Sequence, residues 1–181
     1  MPKIIILRGN SGSGKSTIAK ALQQKIGRGT FLISQDHVRR EMLLLRDRPN
    51  NQAIGLLENL IEYGFHHCEI TILDGILYTE IYDRLFERIK ELFVDNIFAY
   101  YFDISFEETL NRHSQKPNAN EFGEIELRNW WRTNDLISNI DEKIITQDAS
   151  ITETVERIYN NINEQHNEQS PNMTAKQETE L

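Results

Sequence analysis

The run Gly9-Asn10-Ser11-Gly12-Ser13-Gly14-Lys15-Ser16-Thr17 follows directly on the largely apolar residues 3–8. It matches the pattern G-x-x-x-x-G-K-[ST] at a point where a buried strand is expected to turn into a helix. The glycines permit a tight turn whose backbone N–H groups point at a polyphosphate, and the start of the helix adds its positive dipole end. Lys15 is predicted to reach the β- and γ-phosphates, and Ser16 to ligate magnesium. The run therefore predicts a site for a nucleoside triphosphate.

Composition and charge are those of a single globular domain. The chain has 181 residues, of which 39% are hydrophobic, enough for one sizeable core. A net charge of -8 argues against a protein that binds long nucleic acid, because such proteins usually carry a basic balance. The single cysteine, Cys68, excludes an intrachain disulfide and fits a reducing compartment. No secretory leader or membrane-spanning run is present, so the sequence predicts a cytoplasmic protein without a membrane partner.

Strand and helix patterns alternate along the chain, which is typical of a parallel sheet with helices on both faces. Five strands are expected, at residues 3–8, 30–34, 69–73, 97–102 and 143–146. Helices are expected at about 15–26, 36–45, 52–68, 79–93, 105–116, 124–134 and 150–163. Residues 165–181 contain almost no apolar side chain, so they are predicted to form a disordered tail. The folded domain is accordingly expected to span residues 1–164.

Three aspartates lie at or just past the carboxyl ends of predicted strands, where ligands of a doubly wound fold gather. They are Asp36, Asp74 and Asp103. A carboxylate in this position can join a magnesium shell or accept a proton from an attacking hydroxyl. Each also has a purely structural interpretation. Asp36 can cap the next helix, Asp74 can begin an Asp-Gly turn, and Asp103 precedes a capping box that begins at Ser105.

Asp36 differs from the other two because Arg39 and Arg40 follow it by three and four residues. On a helix at least one of these arginines shares a face with the aspartate. A carboxylate base beside an anion-binding guanidinium suits a site for a phosphoryl acceptor. The alternative is an ordinary surface ion pair, which contributes little.

The pairing of GNSGSGKST with ISQDHVRREM resembles the branch of P-loop kinases that includes bacteriophage polynucleotide kinase, the zeta toxins and chloramphenicol phosphotransferase. Bacterial proteins labelled uridine kinase-like resemble more of the chain, through ILDGIL, YYFDISFEETLNRH and KP…EFGE…LRNWW. The resemblance covers roughly residues 3–160. It implies a three-layer P-loop NTPase fold, with ATP and Mg²⁺ as cofactors. It also implies that Asp36 activates the acceptor hydroxyl, that a nearby arginine holds the substrate, and that Asp74 lies near magnesium or substrate.

Basic residues cluster in and around an interruption of the helix after the fourth strand: Arg112, His113, Lys116, Arg128 and Arg132. In the kinases that this chain resembles, the region is a lid, here at about residues 112–132, whose arginines close over the transferred phosphoryl group. Such a lid supplies positive charge and excludes water during transfer. Solvated charges on a helix surface are the alternative interpretation. The resemblance further implies that residues 146–148 seat the adenine.

These patterns together predict an ATP- and Mg²⁺-dependent phosphotransferase that moves the γ-phosphate to a hydroxyl of a small molecule, such as a nucleoside, sugar nucleotide or antibiotic. A 5′-hydroxyl polynucleotide kinase and a nucleotide-dependent regulatory switch are the alternatives. The absence of an Asn-Lys-x-Asp pattern favours ATP over GTP. The predicted roles are catalysis for Lys15, Asp36 and Arg112, nucleotide binding for residues 9–17, acceptor binding for Asp36, Arg39, Arg40 and Asp74, magnesium binding for Ser16 and Asp74, and lid closure for Arg112, Lys116 and Arg128. The patterns predict neither the acceptor's identity nor the oligomeric state.

Overall fold

The computed structural model describes residues 1–115 and 123–168, with side chains up to residue 164. Within these residues one parallel sheet of five strands has the order β2-β3-β1-β4-β5. The strands are β1 (Lys3–Gly9), β2 (Phe31–Ser34), β3 (Ile70–Gly75), β4 (Ile97–Asp103) and β5 (Glu142–Thr146). Every residue of β1 is buried, as expected for a central strand covered on both faces. The predicted five-stranded α/β fold is confirmed.

Helices cover both faces of this sheet. They are α1 (Lys15–Ile26), α2 (Gln52–His67), α3 (Thr79–Phe93), α4 (Phe106–Ser114), α5 (Glu124–Trp130) and α6 (Ile151–Glu168), with a short π-helix at His37–Met42. Alternate residues of β1 serve the two cores, since successive side chains of a strand point to opposite faces. Ile4 and Ile6 pack with α2 and α3, whereas Ile5 and Leu7 pack with α1 and α6. The result is the three-layer architecture that the sequence predicts.

Two helices end several residues earlier than predicted. The helix expected at 36–45 is only the π-helix His37–Met42, because the backbone at Leu44 takes a left-handed φ of 53° and leaves the helix. The helix expected at 124–134 ends at Trp130, and Trp131 is extended. Past this end, the backbone of Arg132 forms hydrogen bonds with the side chain of Asn10.

The final helix continues to Glu168, four residues into the segment predicted to be a disordered tail. The rest of that tail, residues 169–181, and the middle of the predicted lid, residues 116–122, lie outside the described residues. Among the helices that are described, none has the length and apolar character needed to cross a membrane.

Candidate active site

The run of residues 9–17 forms the connection between β1 and α1 at the carboxyl edge of the sheet. β1 lies between β3 and β4, so this loop sits at the centre of that edge. Gly12 and Gly14 have φ values of 81° and 94°, a backbone region that favours glycine. A Cβ on Gly12 would lie 2.8 Å from the carbonyl oxygen of Thr109 in α4. The glycine spacing of the motif therefore serves both the turn and its close packing against α4.

Lys15 and Ser13 place polar groups inside this loop. Lys15 is buried, and its Nζ donates to the carbonyl oxygen of Asn10 over 3.0 Å. The Ser13 hydroxyl is also buried and has no hydrogen-bond partner among the described residues. Buried polar atoms are normally paired. A lysine folded over its own loop beside an unpaired hydroxyl fits a polyphosphate cradle.

Asp74 lies beside this loop, within β3 rather than in a turn. It is in register with Leu7 of β1 and Ser34 of β2, so the Asp-Gly turn considered from sequence is not what the residue forms. Asp74 is 3% exposed, and its Oδ1 has no hydrogen-bond partner in the described part of the chain. Burial raises the pKa of Asp74, and the opposing influences come from the Lys15 ammonium and a hydrogen bond with the Ser16 side chain.

Ser16 and Asp74 form an oxygen-donor pair that fits Mg²⁺. Magnesium prefers oxygen ligands and is usually held by one or two carboxylates together with substrate phosphates and water. The described residues contain no group of three or more His, Cys, Asp or Glu side chains that would bind a metal alone. A magnesium ion at this position is thus expected to arrive with a nucleotide.

Asp36 follows β2 by two residues and contacts Arg39, as predicted. Its Oδ1 lies 2.6 Å from Nη2 of Arg39, and its side chain is half exposed. The backbone at Asp36 is already helical, and its side chain caps no N–H group, so the structure does not support the capping alternative. Arg40 is exposed.

Arg39 is largely buried, with 13% of its side chain exposed. Besides Asp36, it donates from Nη1 to the carbonyl oxygen of Leu45 over 3.0 Å, and its Nε lies 3.9 Å from Oδ2 of Asp47. The sequence predicts Arg39 as a substrate ligand. In the structure this guanidinium holds the segment after the π-helix against Asp36.

Asp47 belongs to a buried polar cluster that sequence reasoning missed. Tyr82 donates its hydroxyl to Oδ1 of Asp47 over 2.7 Å, and Gln35 donates from Nε2 to Oδ2 over 3.3 Å. Gln35 also donates to the Tyr82 hydroxyl over 2.8 Å. Burial raises the pKa of Asp47, while the Tyr82 hydrogen bond and the charge of Arg39 oppose the rise. No spacing in the sequence joins these residues, because they come from a loop, the end of β2 and α3.

The two ends of the predicted lid differ in what they contact. Arg112 in α4 donates from Nη1 to the carbonyl oxygen of Ser13 over 3.0 Å and from Nε to Glu108 over 2.7 Å, so the structure brings it to the phosphate loop. Arg128 instead pairs with Glu124 over 2.9 Å and lies over the ring of Phe106. Lys116 lies outside the described residues.

Asn10 joins the far end of the predicted lid to the phosphate loop, a contact that its motif position does not reveal. Its Nδ2 donates to the carbonyl oxygen of Arg132 over 2.7 Å, and its Oδ1 accepts from the backbone N–H of Arg132 over 3.0 Å. The side-chain amide thus pairs with the Arg132 backbone much as a neighbouring strand would. This pairing provides a reason for the extended backbone that follows α5.

Arg8, directly before the loop, is the largest fully buried side chain of the described residues. It forms ion pairs with Asp135, over 2.7 Å, and Glu142, over 3.0 Å, and it donates to the carbonyl oxygens of Asp135 and Leu77. Thr79 donates to Asp135 from both its backbone N–H and its hydroxyl. Arg8 thereby holds the segment after α5 beneath the phosphate loop. From sequence it is only the polar last residue of an apolar strand.

A cavity of about 620 Å³ opens beside the phosphate loop. Its walls come from the loop, the end of β4, α4 and the connection from β5 to α6. Arg112, Thr146, Gln147 and Asp148 are among its lining residues. The cavity contains the position at which the adenine is expected from the resemblance.

Comparison with known proteins gives a family match over most of the folded chain. A family model described as an AAA domain matches residues 4–130. No curated protein matches the sequence.

Solved structures share the fold at low identity. APS kinase CysC of Mycobacterium tuberculosis, solved with AMPPNP and APS, is 19% identical with a TM-score of 0.62, covering 88% of this chain and 96% of that one. A gluconokinase from Sinorhizobium meliloti is 14% identical with a TM-score of 0.60, covering 94% and 98%. The tunicamycin resistance protein of Deinococcus radiodurans is 15% identical with a TM-score of 0.60, covering 90% and 96%.

Proposed function

The chain belongs to the AAA domain family, and from this premise we propose that it is an ATP- and Mg²⁺-dependent phosphotransferase acting on a hydroxyl of a small molecule. The observation that carries the proposal is the convergence of Lys15, Ser16 and Asp74 at one strand edge, with Asp36 following the adjacent strand. Two of the three structures compared above are named as kinases, which supports transfer over simple hydrolysis.

The donor side of the proposed reaction uses the phosphate loop. Its N–H groups and Lys15 bind the β- and γ-phosphates, and Arg112, held against the loop at Ser13, adds positive charge where it develops during transfer. Ser16 and Asp74 would hold Mg²⁺, which when bound would neutralise part of the phosphate charge.

The acceptor side uses Asp36. The acceptor oxygen forms a bond to the γ-phosphorus, the bond from that phosphorus to the β–γ bridging oxygen breaks, and ADP leaves. The proton of the acceptor hydroxyl passes to the Asp36 carboxylate. Arg39, bound to the same carboxylate, fixes the orientation in which Asp36 meets the hydroxyl.

Two substitutions test the proposal by separating nucleotide binding from transfer. Lys15→Ala is expected to lower phosphoryl transfer by about 10²-fold or more, because it removes a charge that stabilises the transferring phosphoryl group. Asp36→Asn is expected to leave AMPPNP affinity within about twofold while transfer falls by about 10²-fold or more, as for loss of a general base. The matched control is Asp103→Asn, an exposed aspartate at the end of β4, which is expected to change neither quantity.

The assay measures ADP formation with a panel of nucleosides, nucleotide sugars, antibiotics and 5′-hydroxyl oligonucleotides. Unchanged transfer in Asp36→Asn would remove Asp36 from the mechanism. Hydrolysis that no acceptor stimulates would favour a nucleotide-dependent switch, and transfer to oligonucleotides alone would favour a polynucleotide kinase.

A further inference from the structure

We propose that the acceptor carries no negative charge at the end that meets Asp36, so that it is an uncharged or cationic alcohol. This rests on the proposed function, because it takes Asp36 as the residue that meets the acceptor. The inference depends on which charges face the acceptor and which are already engaged inside the protein.

Three carboxylates lie near the carboxyl ends of β2 and β3. Asp36 and Asp47 both contact Arg39, and Asp74 lies in register with Ser34, two residues before Asp36. The negative charge of Asp36 adds to the rise that burial causes in the pKa of Asp47, so these two carboxylates lie close enough to repel each other. The γ-phosphate of a bound nucleotide would bring further negative charge to the same edge, and Mg²⁺ and Lys15 would offset only part of it.

Arg39, the arginine nearest Asp36, has little capacity left for an anionic ligand. Its Nη2 donates to the Asp36 carboxylate and its Nη1 to the Leu45 carbonyl oxygen. Its buried Nε has no hydrogen-bond partner among the described residues, and the Asp47 carboxylate lies 3.9 Å from it. Recognition of a carboxylate or phosphate by arginine normally uses the two-pronged fork of the guanidinium. Here one edge of that fork donates to Asp36 at 2.6 Å, and Nη1 is committed to the backbone.

A second arginine, Arg132, also lies beside an acidic side chain. Arg132 lies 3.7 Å from Glu80 and stacks over the ring of Tyr78, whose hydroxyl donates to the Trp130 carbonyl oxygen. Arg40 is exposed to solvent, where an ion pair contributes little. Among the residues that the structure describes, an anionic acceptor would therefore approach several carboxylates and no buried arginine whose two-pronged fork faces it, whereas a hydroxyl or ammonium group would find acceptor oxygens.

The first test measures anion binding without knowledge of the acceptor. The full chain is saturated with AMPPNP and Mg²⁺, so that the phosphate loop is filled, and is then titrated with sodium sulfate by calorimetry. We expect no saturable sulfate binding by the wild type. In Asp47→Asn, whose amide still accepts from Tyr82, Arg39 loses one acidic partner, and sulfate is expected to bind at least about tenfold more tightly.

Two further variants test whether the gain in sulfate binding arises at Arg39. Glu58→Gln removes a carboxylate that pairs with Arg84 between α2 and α3, and it is expected to leave sulfate binding unchanged. Adding Arg39→Gln to Asp47→Asn is expected to abolish the gain. Sulfate binding by the wild type that Arg39→Gln removes would overturn the inference, as would an Asp47→Asn protein that folds normally and gains no binding.

The second test uses acceptors that differ in charge but keep a primary hydroxyl: glucosamine, glucose and gluconate, and uridine with uridine 3′-monophosphate. Within each series the cationic or neutral member is expected to be phosphorylated faster. Preference for the anionic member would overturn the inference while leaving the proposed function intact. Hydrolysis without transfer to any acceptor, by contrast, would count against the proposed function, and the sulfate titration would still decide the charge of the site.

Discussion

Replacing Arg8 by methionine is expected to destabilise the protein by about 4 kcal/mol, because breaking a buried ion pair typically costs about 3–5 kcal/mol. Arg8 has no exposed side-chain surface, and Glu142 is 2% exposed, so water cannot replace the lost partner. Asp135 keeps its two hydrogen bonds from Thr79, so most of the penalty is expected at Glu142. The loss is a large part of the roughly 5–15 kcal/mol by which a domain is stable.

Urea unfolding followed by circular dichroism measures this loss. With a slope of about 2 kcal/mol per molar urea, the midpoint is expected to fall by about 2 M. Arg84→Met is the matched control, since Arg84 is 80% exposed in its pair with Glu58 and its loss is expected to cost less than about 1 kcal/mol. Adding Asp135→Asn and Glu142→Gln to Arg8→Met is expected to recover at least about 2 kcal/mol, because the buried charges are then removed together.

The loss in Arg8→Met is expected to depend on pH. Burial raises the pKa of Glu142, and Arg8 opposes that rise, so removing Arg8 moves this pKa further above its unfolded value. The folded state then binds the proton more tightly than the unfolded state, and stability falls as pH rises. The variant should therefore be least stable, relative to the wild type, at pH 8 and recover part of the difference at pH 5. A loss below about 1 kcal/mol, or one that is equal at both pH values, would refute this account of the buried pair.

Two further substitutions probe the phosphate loop. Asn10→Asp keeps the side-chain shape but replaces the donor to the Arg132 carbonyl oxygen by an acceptor. We therefore expect the free energy of unfolding, measured in urea, to fall by about 2 kcal/mol and AMPPNP to bind more weakly. Unaltered values in both measurements would show that the pairing is dispensable. Gly12→Ala places a Cβ 2.8 Å from the Thr109 carbonyl oxygen at a φ of 81°, and it is expected to cost about 1–3 kcal/mol of stability. The control Gly55→Ala, whose Cβ meets nothing within 4 Å, is expected to be neutral or stabilising. Equal effects of the two substitutions would contradict the close packing of the loop.

Local signals predicted the parts of the fold that depend on local sequence. The helix at 15–26 and the amphipathic helix at 79–93 have their predicted bounds, because a glycine-rich start and a regular apolar period are properties of one segment. The helix at 36–45 was overestimated, since its end depends on Arg39, which binds both Leu45 and Asp47 through tertiary contacts. Local sequence patterns also did not predict the order of the strands in the sheet.

The candidate site likewise contains residues whose positions local patterns predicted and residues whose contacts they did not reveal. Lys15, Ser16 and Asp74 lie together because a motif and a strand end determine their places in the sheet. The lid position of Arg128 was predicted from the resemblance and from a cluster of basic residues, and neither reveals which neighbour the side chain contacts. In the structure this arginine lies over Phe106. The roles of all the predicted site residues, the cytoplasmic location and the small-molecule partner stay predictions.

The pairing of Asn10 with Arg132 has a spectroscopic consequence. The chain contains two tryptophans, Trp130 and Trp131, which are the two residues before Arg132, whose backbone Asn10 binds. Trp131 packs edge-on against Phe106, at the start of the helix that carries Arg112. All indole emission of the unlabelled protein therefore originates next to the phosphate loop. The native chain carries its own optical probe of that loop, and neither a dye nor an engineered residue is needed to follow what happens there.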